Sequence, residues 1–264
     1  MSMFARFLWW VSAMFLSAPA WAGGPDSIPV EGRSPILVEL FTSEGCSSCP
    51  PADRFLEKLD QQPISGAEMI VLSEHVDYWN DIGWRDPYSS GAYSQRQQAY
   101  AKHFGPDTVY TPEMIVDGSI QFVGSNAELA EKAFRKALSR QKLPIRVSSV
   151  STVDPNYVRA HVELGPLKPA YSSHTADVYA VLALNHAESQ VSKGENAGRR
   201  LTHVAVVTTL TKIGEVQPGQ PYSEDIGLKV EPSSQLYNRR MIVFVQEARE
   251  GRVLGAALIP LSTP

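Results

Sequence analysis

The spacing of apolar and polar positions changes several times along the first half of the chain, and each change marks an element. Ile36-Leu37-Val38 and Leu40-Phe41 give a nearly continuous apolar run over 36–42, the pattern of a buried strand. Over Pro51 to Gln62, Phe55, Leu56 and Leu59 fall on one side of a helix. Met69-Ile70-Val71-Leu72 forms the centre of a second strand running from Glu68 to Val76. After a long loop, Ala92, Tyr93, Arg96, Ala99, Tyr100, His103 and Phe104 keep helical spacing over 89–104, and Gly105-Pro106 stops that helix. Glu113 to Val116 and Ser119 to Val123 read as short strands joined by the hairpin turn Asp117-Gly118. Ser125-Asn126-Ala127-Glu128 has the form of a capping box. The helix it opens buries Leu129, Ala130, Ala133, Phe134, Ala137 and Leu138. The predicted order is β-α-β-α-β-β-α, and the first two strands must be parallel because a helix joins them.

At Leu143-Pro144 the period shortens to two. Ala160, Val162 and Leu164 alternate with Arg159, His161 and Glu163. Strands are predicted over 145–153, 157–164, 177–185, 201–211, 240–247 and 252–261, with turn-rich polar stretches between them. The chain thus divides into a mixed α/β section over 33–142 and an all-β, sandwich-like section over 145–264.

The first residues follow a different logic. Arg6 precedes an apolar stretch from Phe7 to Ala18, too short to span a bilayer comfortably, and Ala20-Trp21-Ala22 fits the small-x-small cleavage rule. Residues 1–22 are therefore expected to be a signal peptide, with a mature chain from Gly23, exported to the periplasm or secreted. The alternative is an uncleaved N-terminal anchor. No later stretch is long and apolar enough to cross a membrane. The formal net charge of −4, with both signs mixed along the chain, excludes the basic stripe of a nucleic-acid binder.

The chemistry concentrates in one segment. Cys46 and Cys49, the chain's only 2 cysteines, lie in Ser43-Glu44-Gly45-Cys46-Ser47-Ser48-Cys49-Pro50-Pro51-Ala52-Asp53, between the first strand and the first helix. Two sulfurs at this spacing can join and part with little backbone movement, and the amides of a helix start favour a thiolate. In an oxidising compartment the pair forms a redox centre or a structural bridge. A bridge closing so short a loop adds only roughly 2 kcal/mol, so redox chemistry is the preferred reading. Zinc would need two further ligands; copper(I) can accept two thiolates and stays open. No cofactor is expected.

Longer motifs carry a resemblance. Val38 to Asp53, His75-Val76-Asp77-Tyr78-Trp79, Gly83-Trp84-Arg85-Asp86-Pro87, Arg96-Gln97 with Tyr100, Val109-Tyr110-Thr111-Pro112, and Asn196 to His203 with Val206-Val207 together resemble one family. It is the secreted, thioredoxin-like family catalogued as a domain of unknown function, number twelve-twenty-three, and the likeness covers nearly all of the mature chain. It implies an α/β thioredoxin-like domain followed by the all-β domain. A local similarity to thioredoxin itself would make Glu39 a buried carboxylate behind the cysteines and Pro112 a cis-proline facing them. Gly45 in place of tryptophan and Ser47-Ser48 in place of Gly-Pro depart from that pattern.

Cys46 is the expected nucleophile, Cys49 the resolving thiol, Glu39 the proton-handling group for Cys49, and Pro112 the wall of a substrate groove. Asp77, Tyr78, Trp79, Trp84 and Arg85 leave the end of the second strand beside the cysteines and are expected to form a rim. His75 is a weak metal-ligand candidate. Asn196, Arg200 and His203 suggest an interaction surface with no mechanism attached. The expected function is thiol–disulfide exchange with exported proteins or small thiols. The alternatives are a non-enzymatic envelope binding module or metal handling.

Overall fold

The computed structural model describes residues 32–261 except 63, 106, 107, 153, 155 and 231–235; the expected signal peptide and cleavage point lie outside the described residues. The elements run β1 (Ser34–Thr42), α1 (Pro50–Gln61), β2 (Ala67–His75), α2 (Gly91–Phe104), β3 (Glu113–Val116), β4 (Ile120–Val123) and α3 (Ala127–Leu138). The strands β5 (Ile145–Ser151), β6 (Tyr157–Leu164), β7 (Ala176–Gln190), β8 (Arg200–Val216), β9 (Tyr222–Lys229), β10 (Arg239–Glu247) and β11 (Val253–Pro260) follow.

The local periods are those read from the sequence, but their assembly differs. The expected α/β thioredoxin-like domain followed by a separate all-β domain does not form. One mixed sheet of 8 strands, ordered β11-β10-β7-β8-β2-β1-β3-β4, runs through both halves of the chain, with a second sheet of 3 strands, β5-β6-β9. The molecule is mostly β, with three short α-helices among the described residues. The join is parallel pairing of β2 with β8 at Ser73 and Val206. The edge that β2 would present in a self-contained first domain is therefore covered by the long β7–β8 hairpin. Alternation shows that a strand has one apolar face; it does not show which sheet the strand enters.

The two faces of the large sheet are covered differently. Ile36, Val38 and Leu40 of β1 and Met69 and Val71 of β2 pack under α1 and α3 with Leu56, Ala130 and Phe134, and β8 adds Val204 and Ala205 to this core. The alternate residues Leu37, Ile70 and Leu72 join Val181, Val207, Ile242 and Phe244 beneath Tyr93 of α2. The three-stranded sheet closes a third core with Val147, Val162, Val178, Leu182, Val243 and Leu254. Strand β9 was not foreseen, because only Tyr222 and Leu228 of its eight residues are buried and an edge strand with polar outward positions reads as loop. At α3, the cap is Asn126, whose side chain accepts from Leu129 N, not a Ser125 capping box.

Candidate functional site around the Cys46–Cys49 turn

Strands β1 and β2 run in parallel register from Ser34 and Ala67 to Thr42 and His75, so their carboxyl ends lie side by side. The Cys46–Cys49 turn leaves the first end, and the 76–90 loop leaves the second. Cys46 and Cys49 are joined in a disulfide, with Cα atoms 5.4 Å apart. Both cysteines are fully buried, whereas Ser47 and Ser48 between them are exposed. Cys49 caps α1 with helical φ −77 and ψ −38, Pro50 and Pro51 occupying the first turn, where missing N–H groups cost nothing. Ser48 Oγ lies 3.3 Å from Cys46 Sγ and 3.5 Å from the Thr111 carbonyl it donates to. The Thr111–Pro112 peptide is cis. A side chain on Gly124 would meet Leu40 at 2.8 Å, Ala52 of α1 at 3.1 Å and Pro112 at 3.4 Å, so Gly124 lies close to both the proline and the start of the cysteine helix.

The residues expected at the rim divide into distinct jobs. Trp79 donates from Nε1 to Thr111 Oγ1 at 2.8 Å, and a Cβ on Gly45 would lie 3.0 Å from the Trp79 Cβ. This contact explains why the residue before Cys46 is glycine: the Trp79 side chain occupies the space. Tyr78 is 42% exposed and donates to Gln97 Oε1 at 3.1 Å. Asp77 accepts from Ser94 Oγ at 2.6 Å, tying the loop to the first turn of α2. Trp84 donates from Nε1 to Glu44 Oε2 at 2.8 Å, and Arg85 is exposed.

The second half of the chain reaches the same place. Asn196, in the β7–β8 hairpin loop, is fully buried and donates from Nδ2 to the carbonyls of Glu44 (2.8 Å) and Cys46 (3.0 Å). The amide of Ser47 donates to Glu195 Oε2 at 3.1 Å. Gly194 has φ +76, and a Cβ there would meet Trp84 Cβ at 3.2 Å, so glycine lets the hairpin lie against the 76–90 loop. Arg200 sits on the exposed side of β8 and pairs with Glu188 of β7. His203, of opposite strand parity, points inward and is 2% exposed.

Beneath the turn lies a buried polar group that the sequence reading missed apart from its histidines. His75 and Asp86 form an ion pair, Nδ1 to Oδ2, at 2.7 Å. Asp86 also accepts from the Glu44 amide at 2.8 Å. Burial acts to lower the His75 pKa, but the paired Asp86 and the Asp53 and Glu44 charges outweigh it and raise it. Burial acts to raise Asp86, and the His75 charge with its hydrogen bonds outweighs that and lowers it. The rings of His75 and His203 meet edge to face at 4.6 Å. Asp53 accepts from Thr42 Oγ1 at 2.8 Å and lies 3.9 Å from His203 Nδ1. Burial raises its carboxyl above the ordinary range. Asp53 was legible in principle, since it stands four residues after Cys49 on a helix. Among the described residues, no group of three or more His, Cys, Asp or Glu is arranged to hold a metal ion.

Glu39 lies elsewhere. It is fully buried, facing α2, where its carboxylate accepts from Arg96 Nε at 2.7 Å and Tyr100 Oη at 2.6 Å. Glu74, its neighbour on β2, lies 3.7 Å from Arg96 Nε, and burial with the Glu39 charge holds its carboxyl well above the usual range.

Glu113, directly after Pro112, accepts from Gln97 Nε2 at 2.7 Å. Burial raises its carboxyl from 4.5 to about 7, the Gln97 hydrogen bond opposing. A carboxyl whose folded pKa is raised stabilises fully below its unfolded pKa and loses that contribution as pH rises through the folded value. Stability should therefore fall between about pH 4.5 and 7, by at most about 3 kcal/mol from this group. Glu113→Gln should flatten that part of the profile; equal slopes of urea midpoint against pH in the two proteins would refute the assignment.

Fold and site together describe a mixed-sheet protein whose single disulfide turn sits where two parallel strands end. The chain belongs to the family described as protein of unknown function (DUF1223), whose model matches residues 37–246. A crystal structure of a protein from Agrobacterium tumefaciens is similar, with TM-score 0.67 at 24% identity over 88% of this chain and 96% of that one. HBP35 of Porphyromonas gingivalis is similar with TM-score 0.61 at 13% identity, over 87% of this chain and 76% of that one. Both likenesses concern the fold alone. No curated protein matches the chain. Among the described residues, no helix is long and apolar enough to cross a membrane.

Proposed function

We propose that the protein is exported and exchanges its Cys46–Cys49 disulfide with thiols of other exported proteins or small molecules. The observation that carries this reading is the placement of the bridge. It spans a short turn whose middle residues, Ser47 and Ser48, are exposed, at the carboxyl ends of parallel strands. Cys46 is the sulfur attacked or attacking, Cys49 the partner that leaves or resolves, and Pro112 with Trp79 forms the wall on one side. Because both sulfurs are buried, exchange requires local opening of the turn.

The buried sulfurs also favour a second reading, in which the bridge is a fixed part of a binding module's scaffold. Equilibration in glutathione buffers, with free thiols counted by mass, separates the two. A redox-active bridge should open at potentials above about −300 mV and pass its oxidation to a model dithiol peptide. A potential below that value, with no transfer, would sink the exchange reading. Cys46→Ser/Cys49→Ser protein that performs normally in its own organism would establish the scaffold.

A further inference from the structure

The exchange reading requires a proton for Cys49 whenever the bridge opens, and Glu39 is held by Arg96 and Tyr100 on the α2 side. Another buried carboxyl stands closer to Cys49 along the chain. Asp53 N donates to the Cys49 carbonyl at 3.1 Å, the bond of one helical turn. Residues so spaced share a helix face, and helical side chains lean toward the N-terminus, so the Asp53 carboxyl is carried back over the Cys49 end of α1.

What backs Asp53 is equally specific. His203 Nε2 lies 3.3 Å from Glu44 Oε1, and Trp84 Nε1 donates to the other Glu44 oxygen. A carboxylate cannot donate, so Nε2 carries a proton in this contact. Nδ1 is buried with no hydrogen-bond partner, and the group 3.9 Å from it is Asp53 Oδ1. A short rotation of either side chain closes that gap. The other charged or titratable groups facing this point are Glu44 from the cysteine turn, His75 from β2, and Asp86 and Tyr88 from the 76–90 loop. His75 and Asp86 pair with each other, which leaves Asp53 as the carboxyl beside His203 Nδ1.

We propose that Asp53, backed by His203 Nδ1, exchanges a proton with Cys49 as the bridge opens and closes. The proposal rests on the exchange reading. In the opening direction, a substrate thiolate attacks Cys46 Sγ, a mixed disulfide forms, and the Cys46–Cys49 bond breaks with its electron pair on Cys49. The Asp53 carboxyl proton passes to that thiolate. A second substrate thiolate then attacks the substrate sulfur of the mixed disulfide and releases Cys46 as a thiolate. The substrate dithiolate has lost two electrons and become a disulfide; the protein has gained them as a Cys49 thiol and a Cys46 thiolate, and Asp53 is left as a carboxylate. In the closing direction Asp53 takes the proton from Cys49.

The test is reduction of the full mature protein by dithiothreitol across pH, with the rate expressed per dithiothreitol thiolate. In wild-type protein this rate should fall as pH rises through the Asp53 pKa, because the proton donor is lost. Asp53→Asn should react about tenfold more slowly at low pH and lose that fall, a size within the ordinary range for general acid catalysis. Asp53→Glu should restore part of the fall. His203→Gln keeps a donor for Glu44 but removes the His203 interaction that lowers the Asp53 pKa, so the fall should move to higher pH. This second variant keeps the idea exposed to refutation if Asp53→Asn fails to fold. An Asp53→Asn profile with the wild-type slope, or an unmoved His203→Gln profile, would overturn the proposal. Failure of the exchange reading looks different: the wild-type bridge would resist glutathione and pass nothing to a dithiol, whatever the state of Asp53.

Discussion

Arg96→Ala should destabilise the protein by about 3–5 kcal/mol, because it removes one partner of a buried ion pair. Arg96 lies on α2 with only 7% of its surface exposed. Its Nε and Nη2 reach Glu39 Oε1 at 2.7 and 2.6 Å, and Nη2 also donates to Tyr100 Oη (3.1 Å) and Gln246 Oε1 (3.0 Å). The guanidinium lies 5.0 Å from the Tyr100 ring centre, 5.5 Å from Tyr179 and 5.4 Å from Phe244. One side chain thus ties β1, α2, β7 and β10 together across the join of the two halves. Alanine would leave Glu39 without a cation in a dry site beside Glu74. Lysine would not rescue it fully, since an ammonium cannot spread donors over the same fork. Urea unfolding at pH 7 reads the loss. Arg96→Met combined with Glu39→Gln should recover much of it, because the penalty lies in the unpaired charge and not in the missing pair. A loss below about 1 kcal/mol for Arg96→Ala would mean that Glu39 does not depend on Arg96, and the description of this core would be wrong.

How much of this was legible from sequence depends on the range of the interaction involved. Local pattern placed β1 to β4, all three helices and six of the seven strands that follow α3 among the described residues, because each is a property of neighbouring residues. The burial of Tyr93, Arg96 and Tyr100 on one face of α2 follows from the same spacing. What could not be read was the join. Ser73 and Val206 pair across more than half the chain, and nothing in either strand announces its partner. The candidate site divides in the same way. Cys46 and Cys49, and the placing of the 76–90 loop beside them, come from adjacency and parallel pairing. Asn196 reaches Cys46 across a separation of 150 residues, so its role waited on the fold. Glu39 and Asp53 show the limit sharply. Both are acids near the cysteines in sequence, and only the packing of α2 against one and His203 against the other tells them apart.

Asn196→Ala should act on stability and on the bridge together. Asn196 fills two roles in the hairpin loop: its Nδ2 satisfies the Glu44 and Cys46 carbonyls, and its Oδ1 accepts from Arg199 Nη1 at 2.9 Å. With alanine, the Glu44 carbonyl loses this donor at about 1–3 kcal/mol, while the Cys46 carbonyl keeps the Cys49 amide at 3.2 Å. Global stability should fall by about 1–3 kcal/mol by this reckoning, less whatever water recovers by entering the space. The second effect is local. These bonds anchor the residues on both sides of Gly45, so the turn must shed them before its sulfurs are reached. A turn already free of them opens at lower cost, and reduction of the bridge by dithiothreitol should quicken by at least about tenfold, the factor that 1.4 kcal/mol supplies. Mild denaturant separates the two effects, because reduction through global unfolding accelerates steeply with urea while reduction through local opening barely responds. If Asn196→Ala is destabilised yet its bridge is reduced no faster than wild type in the absence of urea, the hairpin supports the fold without gating the cysteines. If reduction quickens with no dependence on urea, the β7–β8 hairpin from the second half of the chain sets access to a disulfide in the first.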